Sequence, residues 1–325
     1  MNDLSELNSR LKAKKRFFRL LIPPFPKKNL LIEVTNFCNH SCVFCANSKM
    51  KRQRGFIDER FVSRILREAH DLGTGEVGLY ATGEPLINKN IASYVKEAKN
   101  VGYSYVYITT NGALLTKERA AELIEGGVDS IKFSINAGTT ETYKAIHGKD
   151  DFNTVINNLQ FVSKYRKECK SNLRLFASCI VNKLNICEKE LLQNEIKEYV
   201  DDIAFINVRN QGGLMYDETN KLMVDDDAAL ADGRVPCSMV FNSLTITHEG
   251  YLTACCVDFE NYLIIADLNK MSLKDAWESE VFQNLRKRHL ENNLKNTMCF
   301  NCLYNKKEPI TPFVELYKSE GETIR

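Results

Sequence analysis

Between residues 30 and 208 the chain repeats one pattern six times: a short apolar run, then an amphipathic helical stretch. The apolar runs cover 30–35, 76–81, 103–109, 130–135, 173–181 and 203–208. Several are continuously apolar, as expected of strands buried on both faces. Helical patterns fill the intervals at 90–101, 116–125, 151–167 and 188–200. Asp58 can cap a further helix that carries Phe61, Val62, Ile65, Leu66, Ala69 and Leu72 on one side. Such alternation dictates an α/β fold with a parallel sheet and helices outside it. Six units fall short of the eight that close a barrel, so the expectation is an open, partial (β/α)6 barrel.

Bulk properties narrow the class. Lys+Arg number 44 and Asp+Glu 42, so a net charge of +2 gives no general drive toward nucleic acid. Eleven cysteines without a secretory signal point to a reducing, cytoplasmic setting with metal ligands or buried thiols. No apolar run approaches the roughly 18 residues of a membrane span. Residues 1–28 read as a basic helical extension, with Arg10, Lys12, Lys14, Lys15, Arg16 and Arg19 among Leu11, Phe17, Phe18, Leu20 and Leu21. It either packs on the main domain with a solvated basic face or touches an anionic membrane surface. Residues 29–210 form the barrel, 211–235 a long loop with an acidic run at 225–227, 236–305 a small second domain, and 306–325 a tail. In the second domain, 243–247 and 251–254 flank His248-Glu249-Gly250 as a hairpin, and a helix follows around 272–290.

Cysteines carry the chemistry. Cys38, Cys42 and Cys45 follow the first strand with spacing C-x3-C-x2-C. Three thiolates leave a metal centre one ligand short; the alternative is a small zinc site completed by His40. Cys237, Cys255, Cys299 and Cys302 form a second set, which alone fits a four-cysteine zinc site or an iron–sulfur cluster.

The first cysteine run, with the strand ends that follow it, resembles the radical S-adenosylmethionine (SAM) superfamily over residues 29–210. The second strand ends Ala81-Thr82-Gly83-Glu84-Pro85, the third Thr109-Thr110-Asn111-Gly112, and the fourth Ser134-Ile135-Asn136-Ala137-Gly138. All sit at the C-terminal ends of expected parallel strands, where ligand sites form. The resemblance implies a [4Fe–4S] cluster on Cys38, Cys42 and Cys45, with SAM chelating the open iron. It implies Gly83 and Glu84 at the SAM amino group, and Asn111, Ser134 and Asn136 as polar groups around SAM. Phe44 is a candidate to pack near the adenine, with a core role as the alternative. Reduction then cleaves SAM to methionine and a 5′-deoxyadenosyl radical, which abstracts a substrate hydrogen.

Cys237-x12-Gly250-x4-Cys255 resembles the opening of the SPASM auxiliary-cluster extension, and the absence of a cysteine after Cys302 resembles its shorter Twitch form. That implies one auxiliary [4Fe–4S] cluster ligated by Cys237, Cys255, Cys299 and Cys302. Cys256 is a spare ligand or a buried thiol, and Cys169, Cys179 and Cys187 are expected as buried thiols. Among family members the pattern resembles the 2-deoxy-scyllo-inosamine dehydrogenase type. The implied function is oxidation or dehydration of a hydroxylated carbon on a sugar, cyclitol or nucleotide-sugar, fed by a reductase such as a flavodoxin or ferredoxin. The alternatives are a peptide-modifying SPASM maturase, disfavoured by the short N-terminal stretch, and a non-catalytic iron–sulfur or zinc protein. Arg209, at the end of the sixth strand, is a candidate to bind the substrate or ease its deprotonation, against a structural salt bridge. His147, after the fourth strand, is a candidate to face the substrate. His40 is expected to be positional. Lys49, Lys51, Arg52 and Arg54 read as a solvated face rather than a phosphate site.

Overall fold

The structure is a computed structural model and describes residues 17, 19–224 and 236–314. The basic run from Arg10 to Arg16, the acidic run 225–227 and residues 315–325 of the expected tail lie outside them. The six expected strands are present as β1 (Leu30–Ile32), β2 (Glu76–Gly78), β3 (Tyr105–Thr110), β4 (Ser130–Ser134), β5 (Arg174–Val181) and β6 (Asp202–Asn207). Each pairs in parallel with its sequence neighbour. The helices are α1 (Glu59–Asp71), α2 (Ile91–Val101), α3 (Lys117–Glu125), α4 (Thr140–His147), α5 (Phe152–Glu168) and α6 (Lys189–Ile196). Asp58 caps α1 by accepting from the Phe61 amide at 2.9 Å, a bond worth about 1 kcal/mol. The same helix buries Phe61, Val62, Ile65, Leu66 and Ala69 against the sheet, while Leu72 becomes its half-buried cap.

The strands are not buried on both faces throughout. Along β3, Val106, Ile108 and Thr110 are buried against the helices, whereas Tyr105, Tyr107 and Thr109 are half-buried. Lys132 and Ser134 on β4 are likewise half-buried. This inner face lines an open barrel instead of a packed core, so it alternates with the period of two expected of a half-exposed sheet.

Two features escaped the sequence pattern. The second domain does not hang from a linker. Its strands β7 (Leu244–Ile246), β8 (Tyr251–Thr253) and β9 (Ile264–Asp267) extend the same sheet, in the order β6-β5-β4-β3-β2-β1-β7-β8-β9. β7 lies parallel to β1, with Leu30 opposite Leu244, and the hairpin turns back antiparallel. The stretch read as a loop after Arg209 holds a short helix, α7 (Tyr216–Leu222). Four more helices complete the described chain: α8 (Met239–Asn242), α9 (Leu273–Glu278), α10 (Glu280–Leu290) and α11 (Met298–Tyr304). The helix expected around 272–290 is broken at Ser279, whose extended backbone ends α9 and whose hydroxyl caps α10.

Arg286 fastens the N-terminal segment to this region. It is fully buried, lies 4.0 Å and 3.8 Å from the Trp277 and Phe282 ring centres, and donates to Leu21 O, Trp277 O and Val240 O. No helix of the described residues is long and apolar enough to cross a membrane.

Candidate functional site

Cys38, Cys42 and Cys45 sit on the loop that leaves the C-terminal end of β1, and all are free thiols. Burial pushes the Cys38 thiol up to about 12, with the charges of Glu84 and Cys45 adding to it. Burial also raises Cys42 and Cys45, and Cys42 feels both other sulfurs. Each sulfur nevertheless faces a nitrogen donor. The His40 amide approaches Cys38, the Asn47 amide approaches Cys45, and His147 Nδ1 lies 3.6 Å from Cys42 Sγ. Donors aimed at sulfur suit thiolates, which buried thiols become when a metal replaces their protons.

Three strand ends hold this loop. Gly83 passes beneath it so closely that an added Cβ would sit 2.4 Å from Thr35 O and 2.6 Å from Phe37 O. The Glu84 amide donates to Phe37 O at 2.8 Å. The Glu84 carboxylate is buried, and burial raises its pKa. It accepts from Leu86 N and Thr110 Oγ1 on Oε1 and from Asn111 N on Oε2, at 3.0, 2.7 and 2.7 Å. A carboxylate offers about four acceptor sites, so one remains on Oε2. Asn111 Nδ2 donates to Asn39 Oδ1 inside the cluster loop at 2.8 Å. Ser134 sits half-buried on the inner face of β4.

Asn136, His147 and His40 form one chain behind Cys42. Ile180 N donates to Asn136 Oδ1 at 2.7 Å, which turns Asn136 Nδ2 toward His147 Nε2 at 3.2 Å. His147 therefore accepts on Nε2 and carries its proton on Nδ1. That proton faces Cys42 Sγ at 3.6 Å and His40 Nδ1 at 3.2 Å, and His40 Nε2 reaches Asp151 Oδ2 at 3.0 Å. Burial, then the His40 charge, holds His147 down at about 3, so its ring is neutral. Tyr143 stacks on it at 4.0 Å between ring centres. The sequence expectation of a substrate-facing His147 is corrected: the ring is 1% exposed and both of its nitrogens are engaged. His40 is buried and bridges His147 and Asp151. The responsible element is α4, whose last carbonyls, on Ile146 and His147, accept from the cluster-loop amides of Val43 and Ser41.

Phe44 is buried with Ile146 and Val208, beside Ile180, Leu222 and Met223, so the core alternative describes its packing. Arg209 is half-buried between Val208 in that patch and Asn210, which donates to Asn301 O and Asn305 Oδ1. Arg209 thus stands at the seam between barrel and second domain.

Cys237, Cys255, Cys299 and Cys302 come together although they lie far apart in sequence. Cys299 feels the charges of Cys237 and Cys302, and Cys255 feels that of Cys302; the Cys256 hydrogen bond and then burial raise Cys255, and burial raises Cys299. All four are free. The groups whose ligand atoms lie within 4.8 Å of one another, close enough for a single ion, are His40–Cys42–His147 and Glu33–His248–Glu249. Neither cysteine set is drawn that tightly, which suits a multi-iron cluster better than one zinc. Cys256 hydrogen-bonds to Cys255 and acts electrostatically on Lys132, Tyr80 and Tyr107. Cys169 and Cys187 are exposed, which corrects the expectation of buried thiols, whereas Cys179 is buried.

Of the basic group after the cluster loop, Lys49 and Lys51 are exposed, but Arg52 and Arg54 are not part of a solvated face. Lys49 reaches Glu218 at the surface, but the Arg52 side chain is 5% exposed. It pairs with Glu33 at 2.5 Å and with Glu249 at 3.4 Å. His248 Nδ1 meets Glu33 at 3.0 Å, and Thr82 Oγ1 donates to Glu33. Arg54 donates to Asn36 O and to both Asn47 oxygens. The acids that neutralise Arg52 come from the residue after β1 and from the β7–β8 turn, distant in sequence, so no local pattern announces them.

Comparison with known proteins agrees with this geometry. Residues 32–176 match the radical SAM superfamily, and residues 237–303 match SPASM, an iron–sulfur cluster-binding domain. A probable GTP 3′,8-cyclase of Methanothermobacter thermautotrophicus is 37% identical over 125 residues, 38% of this chain and 40% of that one. An uncharacterized protein, MJ0804, of Methanocaldococcus jannaschii is 30% identical over 179 residues, 55% of this chain and 56% of that one. The chain therefore spans about half the length of these curated relatives. Among solved structures, BtrN in complex with AdoMet and 2-DOIA superposes with a TM-score of 0.58 at 20% identity, covering 87% of this chain and 96% of that one. Streptococcus suis SuiB bound to precursor peptide SuiA gives 0.67 at 17% identity, covering 94% and 75%. At these identities the two structures speak to the fold. Residues 32–176 are thus a radical SAM domain and residues 237–303 a SPASM domain, and the cofactors these domains imply are S-adenosylmethionine and [4Fe–4S] clusters.

Proposed function

We propose that this chain abstracts hydrogen from a hydroxylated carbon of a sugar, cyclitol or nucleotide-sugar and carries it to oxidation or dehydration. The observation that carries the reading is the inner face of the barrel. Tyr80, Tyr107, Thr109, Ser134 and Ser178 bring phenols and hydroxyls to one surface beneath the strand ends. Aromatic rings with flanking hydroxyls suit a ring that presents both C–H faces and O–H edges. BtrN, whose crystal structure holds 2-DOIA, matches this fold over nearly its full length.

The donor sets fit the cofactors. Cys38, Cys42 and Cys45 would hold the SAM-binding cluster, each sulfur meeting a nitrogen donor. Cys237, Cys255, Cys299 and Cys302 would complete the auxiliary one. When bound, S-adenosylmethionine and the first cluster supply a hydrogen-abstracting radical, and the second cluster supplies a one-electron acceptor. The protein's own residues do the rest. Gly83 permits the close approach of the second strand end, and the free Oε2 site of Glu84 would accept an ammonium. Asn111 fixes the cluster loop through Asn39, and Ser134 offers its hydroxyl to SAM. Asn136 orients His147, which directs one N–H at Cys42 and acts as a positioning residue, not a catalytic one. Phe44 closes the loop against water. Arg209 meets the substrate at the seam.

The test is anaerobic incubation of reconstituted protein with SAM, reductant and a panel of sugars, cyclitols and nucleotide-sugars. A carbohydrate that stimulates 5′-deoxyadenosine formation and loses a pair of hydrogens, or water, supports the reading. Stimulation by none of them refutes it. A second reading, a nucleotide-cyclising activity, is favoured by the 37% identity to a probable GTP 3′,8-cyclase, so GTP belongs in the panel.

A further inference from the structure

Lys132 lies in the middle of β4, half-buried on the inner face of the barrel. It stands in register with Thr109 on β3 and with Phe176 on β5. Ser134 lies two residues further along the same face, about 6.6 Å away at the usual strand rise. The Lys132 ammonium makes no hydrogen bond or ion pair with a described residue, and burial lowers its pKa. The ionisable group that acts on it is the Cys256 thiol, not a carboxylate. Glu76, at the opposite end of this face, is already paired with Lys28 at 2.8 Å.

Beside Lys132, Thr109 Oγ1 is buried and interacts with the Tyr80 phenol, but makes no hydrogen bond of good geometry with a described residue. A half-buried cation with no carboxylate beside it and a buried hydroxyl whose hydrogen bond is poor both carry a cost. Both costs fall on the same register position, facing the same space. One ligand group that is anionic and accepts hydrogen bonds would relieve both together.

We propose that Lys132, with Thr109 and Tyr80, forms a subsite for an oxyanion of the substrate, either a carboxylate or a phosphate. The proposal rests on the carbohydrate reading for the rest of the ligand and narrows it to acidic sugars: sugar acids, sugar phosphates or nucleotide-sugars. Aminocyclitols, whose amines are cationic, and simple neutral sugars then lack the group this site is built to hold.

The experiment uses the full chain with both clusters and SAM bound. Lys132 acylation is followed by peptide mass spectrometry, without and with inorganic phosphate, glucose 6-phosphate, glucuronate, UDP-glucose and glucose. Anionic probes should slow Lys132 labelling and glucose should not; glucuronate against glucose 6-phosphate separates carboxylate from phosphate. By calorimetry, Lys132→Met should weaken the best anion about tenfold or more, as loss of a charged hydrogen bond does. Lys132→Arg should restore most of that binding, and Cys256→Ala should leave it unchanged. Absence of protection by every anion, inorganic phosphate included, overturns the proposal. So does equal loss of binding in Cys256→Ala, which would make Lys132 a partner of that thiol. If Lys132→Met does not fold, the wild-type footprint and Lys132→Arg decide. Turnover of a neutral sugar with no anion protection would sink the subsite and leave the carbohydrate reading standing. Phosphate protection without turnover of any carbohydrate would do the reverse.

Discussion

Gly83→Ala isolates the close approach that sets the cluster loop on its strand end. Its new Cβ would lie 2.4 Å from Thr35 O, 2.6 Å from Phe37 O and 2.8 Å from Asn36 Cα. Ordinary contact begins at 3.4 Å, so the worst pair must part by 3.4 − 2.4 = 1.0 Å. All three obstacles are backbone, and no side chain can swing aside. Overpacking of this kind costs about 1–3 kcal/mol. Parting the strands also stretches the 2.8 Å bond from Glu84 N to Phe37 O, worth about 1 kcal/mol. At roughly 2.1 cal/mol/K per residue, the unfolding entropy of 325 residues is near 0.7 kcal/mol/K, so about 2–4 kcal/mol lowers Tm by ~3–6 °C. Because Phe37 adjoins Cys38, iron retention should fall as well. Gly73→Ala is the comparator: φ there is +98° with nothing within 4 Å of the new Cβ, so it carries conformational strain alone. It should cost about 1–2 kcal/mol and leave iron content untouched. Differential scanning calorimetry and iron assay of both variants decide the matter. A Gly83→Ala protein with wild-type Tm and iron, or a Gly73→Ala protein that loses iron equally, would refute the reasoning.

Cys302→Ser should cut reconstituted iron from about eight to about four per chain while leaving SAM binding intact; unchanged iron would remove Cys302 from the ligand set. Glu84→Gln should weaken SAM binding, read by equilibrium dialysis, without loss of the first cluster, because the amide oxygen still accepts from Thr110; normal SAM affinity would count against the open Oε2 site. His147→Leu removes the N–H facing Cys42, so an EPR-monitored titration should give a more negative midpoint for the first cluster; an unchanged midpoint with lost turnover would return His147 to a substrate role. Burial raises the Glu33 pKa, but the His248 hydrogen bond and the Arg52 charge outweigh it and hold the carboxyl at about 2, below its ordinary 4.5. Its stabilisation, about 3 kcal/mol, is therefore complete above pH 4.5 and lost as pH falls toward 2. The stability gap between wild type and Glu33→Gln should close over that window, and a constant gap in urea titrations would refute the assignment.

The barrel was legible because its signals are local. Apolar runs announced all six strands to within a few residues, and Asp58 announced α1. The strand-end motifs were legible too, since Gly83, Glu84 and Asn111 fall where parallel strands stop. What stayed hidden is what only tertiary contact decides. Nothing in Leu244–Ile246 says that it will pair with β1 instead of folding apart. Arg52 read as solvated because Glu33 and Glu249 meet it only in the folded chain, and Arg54 because its acceptors are a backbone carbonyl and an asparagine, which carry no charge to announce it. His147 read as a site residue because it follows a functional strand; its neutral, inward role depends on Asn136 and His40, which meet it only after α4 folds back. Lys132 was passed over because one charge inside an apolar strand looks like an exception, and only the alternation of β3 and β4 gives it a direction.

The pairing of β7 with β1 has a consequence for how the molecule can move. The strand that launches Cys38 and the hairpin that carries Cys255 are neighbours in one hydrogen-bonded ladder, with adjacent strands about 4.8 Å apart. One sheet therefore carries both the loop of Cys38 and the turn of Cys255, so parting those two cysteines would mean breaking ladder hydrogen bonds. The far edge of the same sheet is β6, where Ala204 and Ile206 stand exposed.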